Sequence, residues 1–243
     1  EEIEANLRLG DLLRDSGDLD AAEEQYKQAQ VLQNSPVQPT LRLALIAARK
    51  GDIKTARQLL TEAESYAQTP LNKTLVRQAA VQLESRLGQI RNAIDQTLIQ
   101  EEFLSQSRAP MEVALSVYSP LAGFYIELGE LDSARRALDS ARTILQPPLD
   151  KFLSFAEALI YIKENDLGAA RASLANGEEV VEQFQLNVLR FQVDFVNAKI
   201  SEAEKDFVVA AQYYAKALER IEHSGLAADL SAAVPAIYAS LAN

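Results

Sequence analysis

Cysteine and tryptophan are absent from this chain of 243 residues, and histidine occurs once, at His223. Without cysteine the chain can form no disulfide, thiol nucleophile or thiolate metal site. A single histidine excludes paired-histidine zinc sites, and we expect His223 to meet the negative end of the helix that it closes. Cysteine-free chains occur in the cytosol and the periplasm, so the compartment stays open, with the cytosol favoured.

Other signatures are also missing. No apolar run approaches the roughly 18 residues of a membrane span, and no glycine-rich phosphate loop occurs. Adjacent carboxylates such as Glu23-Glu24 are typical of solvated helix faces. We therefore expect neither an enzyme nor a cofactor or metal site. The chain begins with Glu1-Glu2 instead of methionine, so we expect a processed product or a piece of a longer protein.

The net charge of −11 bears on the partner. A protein this acidic repels phosphate backbones and anionic membrane surfaces, so we expect no direct contact with nucleic acid and no membrane insertion. A basic or neutral protein surface is the better partner. The alternative is that the acidic residues only keep the surface soluble.

The residues that are abundant, alanine, leucine, glutamate and glutamine, favour helix over strand. Pairs of apolar-periodic stretches are separated by short breaks, which recur at the spacing of helical-repeat units. Glycine suits a left-handed residue just past the end of a helix. The break centres are Gly17, Gly51, Gly88, Gly129, Asn165 and Lys205. Because lysine is a departure, we expect a strained or reshaped turn there.

Small residues recur around each break. Alanine stands five positions after every break centre, which lets two antiparallel helices approach closely. An aspartate follows four of the centres and can cap the second helix. The alanines are Ala22, Ala56, Ala93, Ala134, Ala170 and Ala210, and the aspartates are Asp18, Asp52, Asp166 and Asp206.

These residues resemble the tetratricopeptide repeat (TPR). The first unit matches through Leu9-Gly10, Leu13, Gly17, Ala22, Tyr26 and Ala29; the second matches through Leu43-Ala44, Ala47, Gly51, Ala56, Leu60 and Ala63. The family's tryptophan is absent, and Thr97 and Gln100 replace the landmarks of the third unit. The longer units look more like the TPR-like arrays of bacterial signal-transduction regulators.

The resemblance implies an all-α, right-handed superhelical solenoid of about six antiparallel helix pairs in a single domain, 1–243. The expected units are 4–34, 38–69, 74–107, 111–147, 150–184 and 188–223. Residues 226–243 are expected to form a capping helix; the alternative is the start of a seventh unit. Self-association through this last helix is a further expectation.

In this family the first helix of each pair lines the concave groove. The positions that correspond here, which we expect to bind a protein or peptide, are Leu41, Leu45, Arg49, Gln78, Gln82, Arg86, Phe155, Leu159, Phe195 and Lys199. The alternative for the aromatic residues is packing between neighbouring units. The family's carboxylate clamp uses Lys and Asn where Leu7, Asp11 and Arg42 stand, so we expect no recognition of that kind.

The resemblance implies a protein- or peptide-binding scaffold, which we interpret as the interaction or sensor part of a larger signalling or transcription-regulating protein. The alternative is a domain that senses a small molecule or peptide signal in the same groove. Partner and parent protein cannot be read from these residues.

Overall fold

A computed structural model describes residues 2–33, 36–106 and 110–223, and within these ranges the chain is helical without any strand. Short 3₁₀ turns at Leu149–Leu153 and Asn187–Leu189 precede two of the helices. The α-helices are α1 (Glu2–Asp15), α2 (Leu19–Val31), α3 (Val37–Arg49), α4 (Ile53–Tyr66), α5 (Pro70–Arg86), α6 (Ile90–Gln106), α7 (Pro110–Val113), α8 (Ser119–Glu127), α9 (Leu131–Ile144), α10 (Ser154–Lys163), α11 (Leu167–Gln183), α12 (Arg190–Ala203) and α13 (Phe207–His223).

The chain divides into two compact units, one up to residue 100 and the other from residue 101. In the first unit α1 packs on α2 and α3 on α4; in the second, α8 packs on α9, α10 on α11 and α12 on α13. Consecutive pairs also contact each other, as α2 does with α3 and α11 with α12. The single-domain organisation over 1–243 stays a prediction, and the expected cap at 226–243 lies outside the described residues.

The helices of a pair are joined by a left-handed residue at each break. Gly17 has φ of 89°, and Asn165 and Lys205 have φ of 61° and 63°. At Lys205 the N–H donates to Glu202 O, and the next N–H, of Asp206, donates to Ser201 O, both at 2.9 Å. This is the bond pattern found around Gly17, so the turn at Lys205 is not reshaped. The expected strain remains, because a left-handed conformation costs a residue with a Cβ about 1–2 kcal/mol.

The aspartates after the breaks cap the helices that follow. Asp18, Asp52 and Asp166 each accept a hydrogen bond from the backbone N–H three residues on. Asp206 does the same for the N–H of Val209, at 3.1 Å. The prediction of these four caps is confirmed, and each contributes about 1 kcal/mol to its helix.

The small residues predicted at the helix crossings are buried. All six alanines that follow the breaks are at most 2% exposed. Gly10 lies so close to the ring of Tyr26 that an added Cβ would stand 2.4 Å from Tyr26 Cε1. Since no side chain fits at that distance, the close approach of α1 and α2 depends on this glycine.

In the second unit a π-helical turn at Ala114–Tyr118 joins α7 to α8, and in this turn the N–H of Ser119 bonds to Ala114 O. Pro120 follows and has no N–H, so it cannot continue the α-helical ladder to the carbonyl of residue 116. The wider π-helical turn accommodates this missing donor. Tyr118, at the end of the turn, donates its hydroxyl to Glu101 Oε1 at 2.7 Å.

Ion pairs join successive helix pairs at equivalent positions. Each joins a residue six positions after one break to the residue just before the next break. In the second unit Arg135 pairs with Glu164 and Arg171 with Glu204, both at 2.6 Å. In the first unit the signs are reversed, since Glu23 accepts from Lys50 at 2.6 Å. These pairs are partly exposed, so each stabilises the array by at most about 1 kcal/mol.

Candidate protein-binding faces

The predicted positions on α3 lie on the surface of the first unit. Leu41 and Leu45 are half-buried, and Arg49 is exposed. Leu41 packs against the cores on either side of it, while Arg49 Nη1 donates to the carbonyl of Arg14 at 3.3 Å. Leu45 thus offers an apolar contact beside a cation that is held near the end of α1.

The predicted positions on α5 lie beside them, because α3 and α5 pack together. Gln78, Gln82 and Arg86 are half-buried and follow one another at intervals of one helical turn. Within the described residues, neither Gln78 nor Gln82 has a hydrogen-bond partner for its side-chain amide. Two adjacent amides, each with donors and an acceptor, can therefore bond to an extended backbone laid across them.

The positions that correspond to the family's clamp are occupied by an internal network. Asp11 accepts from Tyr26 at 2.8 Å, from Arg14 at 2.8 Å and from Arg42 through both carboxylate oxygens. Burial alone would raise the pKa of Asp11, but the bonds from Arg42 and Tyr26 and the charges of Arg42 and Arg14 hold it below its usual value. Burial and the bond to Asp11 also raise the pKa of Tyr26.

Arg42 therefore binds a carboxylate of its own chain, and Leu7 is buried in the core at 6% exposure. The absence of recognition of the clamp kind stays a prediction.

In the second unit Phe155 is a core residue. It is 6% exposed and packs with Leu174, Val181 and Val193. Its ring lies over Gly177 so closely that an added Cβ there would stand 2.9 Å from two ring atoms. Phe155 thus packs inside the array, which is the alternative that the sequence left open for the aromatic residues. Almost none of its side chain is accessible to a partner. The burial of Phe155 depends on Gly177 in α11. The sequence pattern of α10 alone therefore does not predict it.

The other predicted positions of this unit are half-buried. Leu159 and Phe195 pack against the same core, and Phe195 lies 6.1 Å from Tyr214 between ring centroids. Lys199 Nζ stands 5.8 Å and 5.4 Å from the centroids of these two rings. Burial alone would lower the pKa of Lys199, but hydrogen bonds to Glu202 and Tyr214 hold it above its usual value. Lys199 therefore presents a fixed positive charge beside apolar surface.

The structure also shows a cleft that the sequence interpretation did not find. Its volume is about 560 Å³, and α4, α5 and α6 of the first unit line it. The signal was present in α6, where Asn92, Asp95, Gln96 and Ile99 follow at helical spacing on one face. This spacing does not by itself predict a cleft, because the four side chains differ in chemistry and match no motif.

Two kinds of site are absent from the part of the chain that the structure describes. No group of three metal-binding side chains occurs there, and no helix there is both long and apolar enough to cross a membrane.

Comparisons with known proteins agree with this fold. A sequence model of the tetratricopeptide repeat matches residues 3–35. The crystal structure of a tetratricopeptide repeat protein from Parabacteroides merdae superposes with a TM-score of 0.51 at 16% identity, covering 90% of this chain and 93% of that chain. Comparison with curated proteins gives no match.

Within each compact unit the described helices pack as successive antiparallel pairs, which is the architecture of helical-repeat proteins. In sequence the similarity to tetratricopeptide repeats covers the first helix pair, and in structure it covers the fold; the predicted all-α fold is confirmed.

Proposed function

We propose that this chain binds an extended peptide segment of another protein across α3 and α5 of its first unit. The observation that carries the proposal is the pair of half-buried amides of Gln78 and Gln82, which have no hydrogen-bond partner within the described residues. A peptide strand presents a carbonyl or N–H on the same side every second residue, at about 6–7 Å. The four residues from Gln78 to Gln82 rise by about 6 Å along the helix axis, so both amides can be engaged together.

Apolar and charged contacts complete this face. Leu45 can receive an apolar side chain of the peptide, and Arg49 can pair with an acidic one. In the second unit Leu159, Phe195 and Lys199 form a smaller face with apolar surface and one cation. We place the main contact on the first unit, because Phe155 is lost to the core of the second.

The test is a selection of peptides from a displayed library against the full chain, followed by calorimetry. The variant Gln78→Ala/Gln82→Ala removes both amides. The matched control, Gln28→Ala/Gln58→Ala, removes two exposed glutamines from the second helices of their pairs. Two hydrogen bonds at about 0.7 kcal/mol each predict roughly ten-fold weaker binding for the first variant and no change for the control. Equal affinities of both variants for the selected peptides would contradict the proposal.

The wider role stays a prediction. A place in a larger signalling or transcription-regulating protein rests on the resemblance alone, and the expectation that the chain is not an enzyme rests on the residue types and motifs that its sequence lacks. The alternative, sensing of a small molecule, is separated by thermal denaturation with peptides and with metabolites. A melting temperature raised by one metabolite and by none of the selected peptides would favour the alternative.

A further inference from the structure

The cleft between α4, α5 and α6 is separate from the proposed peptide face. Its residues on α5 include Arg77, Ala80 and Glu84. At 100° per residue these point to the side of the helix roughly opposite to Gln78 and Gln82. The cleft therefore opens beside the second helices of the pairs, and its occupation does not depend on the proposed function.

One wall of the cleft is apolar. Leu60 is buried, Val76 is 3% exposed, and Ala80 is half-buried. Ile99 on α6 is 47% exposed at the rim. This surface is suited to a chain of methylene groups, which gains about 0.8 kcal/mol for each group that is fully buried.

The arginines of the cleft are bound to acceptors of the same unit. Arg57 donates to both oxygens of Glu84, at 2.9 and 2.8 Å, and also to Gln89 at 3.1 Å. Arg77 donates to the carbonyl of Ile99 at 3.2 Å and lies 3.4 Å from Glu64. Each guanidinium thus already donates to an acceptor of the first unit.

The cleft is lined by more carboxylates than guanidiniums. Glu64, Glu84 and Asp95 line the cleft together with only Arg57 and Arg77. Asp95 is exposed and has no ion-pair partner among the residues that the structure describes. The cleft therefore carries an excess negative charge beside an apolar wall, within a chain whose net charge is −11.

We propose that this cleft binds a lysine or arginine side chain from a basic segment of a partner protein. The methylene groups of that side chain lie along Ala80 and Ile99, and its cationic head pairs with Asp95. Amphipathic side chains combine these two needs, an apolar stem and a charged tip. The acidic field of the whole chain steers such a partner toward it.

The test compares two peptides that differ only in charge. The probe is Ac-Ala-Ala-Arg-Ala-Ala-amide, and its control carries the neutral isostere citrulline in place of arginine. In amide NMR spectra of the full chain, the arginine peptide is expected to shift the resonances of residues 60–64, 80–84 and 95–99, with weaker shifts for the citrulline peptide. Equal shifts with both peptides, or arginine-dependent shifts confined to other residues, would overturn the proposal.

Matched variants separate the cleft from the general charge of the protein. Asp95→Asn and Glu24→Gln each remove one exposed carboxylate, so the net charge is the same in both. The Asp95 variant is expected to weaken binding of the arginine peptide about two- to five-fold, as for an exposed ion pair, and Glu24→Gln is expected to leave it unchanged. Asp95→Arg should abolish the shifts in the cleft. A loss of affinity that is the same for Asp95→Asn and Glu24→Gln would refute the assignment.

Discussion

Replacement of Gly177 by alanine is the sharpest test of the packing in the second unit. An alanine Cβ at this position would stand 2.9 Å from Cε1 and Cζ of Phe155, which is 6% exposed. Overpacking of a core costs about 1–3 kcal/mol. Alanine in place of glycine within a helix returns about 1 kcal/mol. We therefore expect Gly177→Ala to lower the free energy of unfolding by up to about 2 kcal/mol.

The sign of this effect should change when the ring is removed. In a Phe155→Ala background no ring atom meets the new methyl group, so Gly177→Ala should raise the free energy of unfolding by about 1 kcal/mol, starting from a protein already weakened by about 3–5 kcal/mol. Gly123→Ala is the matched control. Gly123 lies in α8 with nothing within 4 Å of an added Cβ, so that change should stabilise the unmodified protein by about 1 kcal/mol.

The assay is urea unfolding followed by circular dichroism at 222 nm, with midpoints compared at unchanged m-value. The four proteins of the Phe155 and Gly177 cycle give a coupling free energy, which we expect at about 1–3 kcal/mol. If Gly177→Ala stabilised the protein as much as Gly123→Ala while Phe155 was present, Phe155 would not pack on Gly177, and its place on the binding face would be open again.

Three further predictions concern stability. Lys205→Gly should raise the free energy of unfolding by about 0.5–1 kcal/mol, because relief of left-handed strain exceeds the entropy cost of glycine; Lys205→Ala should not, and an equal gain from both would exclude strain as the cause. Asp11→Asn should cost about 1–2 kcal/mol at pH 7. Because the pKa of Asp11 is lowered on folding, this difference is present above its usual value of 3.8 and should shrink as pH falls below it; a difference in urea midpoint that stays constant from pH 7 to pH 3 would argue against the network. Arg171→Glu should cost up to about 1 kcal/mol, and the second change Glu204→Arg should restore it at low salt but have little effect in 1 M NaCl.

The fold could be predicted from local chemistry that repeats. A residue that tolerates a left-handed conformation, an aspartate that caps and an alanine five positions on are properties of short segments. Asp18 and Ala22 therefore carry the same meaning in the sequence and in the structure. Even Lys205 keeps the turn, because the hydrogen bonds of the turn and the packing of α12 on α13 outweigh the strain of one residue.

The candidate site could be predicted only in part, because exposure depends on neighbours far along the chain. Phe155 occupies a position that would face a groove, yet the absence of a side chain at Gly177 lets its ring turn into the core. Asp11 and Arg42 are far apart in sequence and meet only when α1 and α3 are in place. The π-helical turn had a visible cause in Pro120, but a proline near a helix start usually predicts no more than an ordinary first turn.

The opposite polarity of the ion pairs between helix pairs restricts how such an array could be rebuilt by recombination. A helix pair that carries a glutamate at this position, such as Glu23, fits a following helix pair that carries a lysine, such as Lys50. The helix pairs that carry Arg135 or Arg171 instead need a following pair with a glutamate just before its break, as Glu164 and Glu204 are. Exchange of modules with the same sign would keep every contact attractive, whereas exchange across the two types would oppose like charges at the new junction. Fewer exchanges of helix pairs would therefore preserve these ion pairs than the similarity of the helix pairs implies.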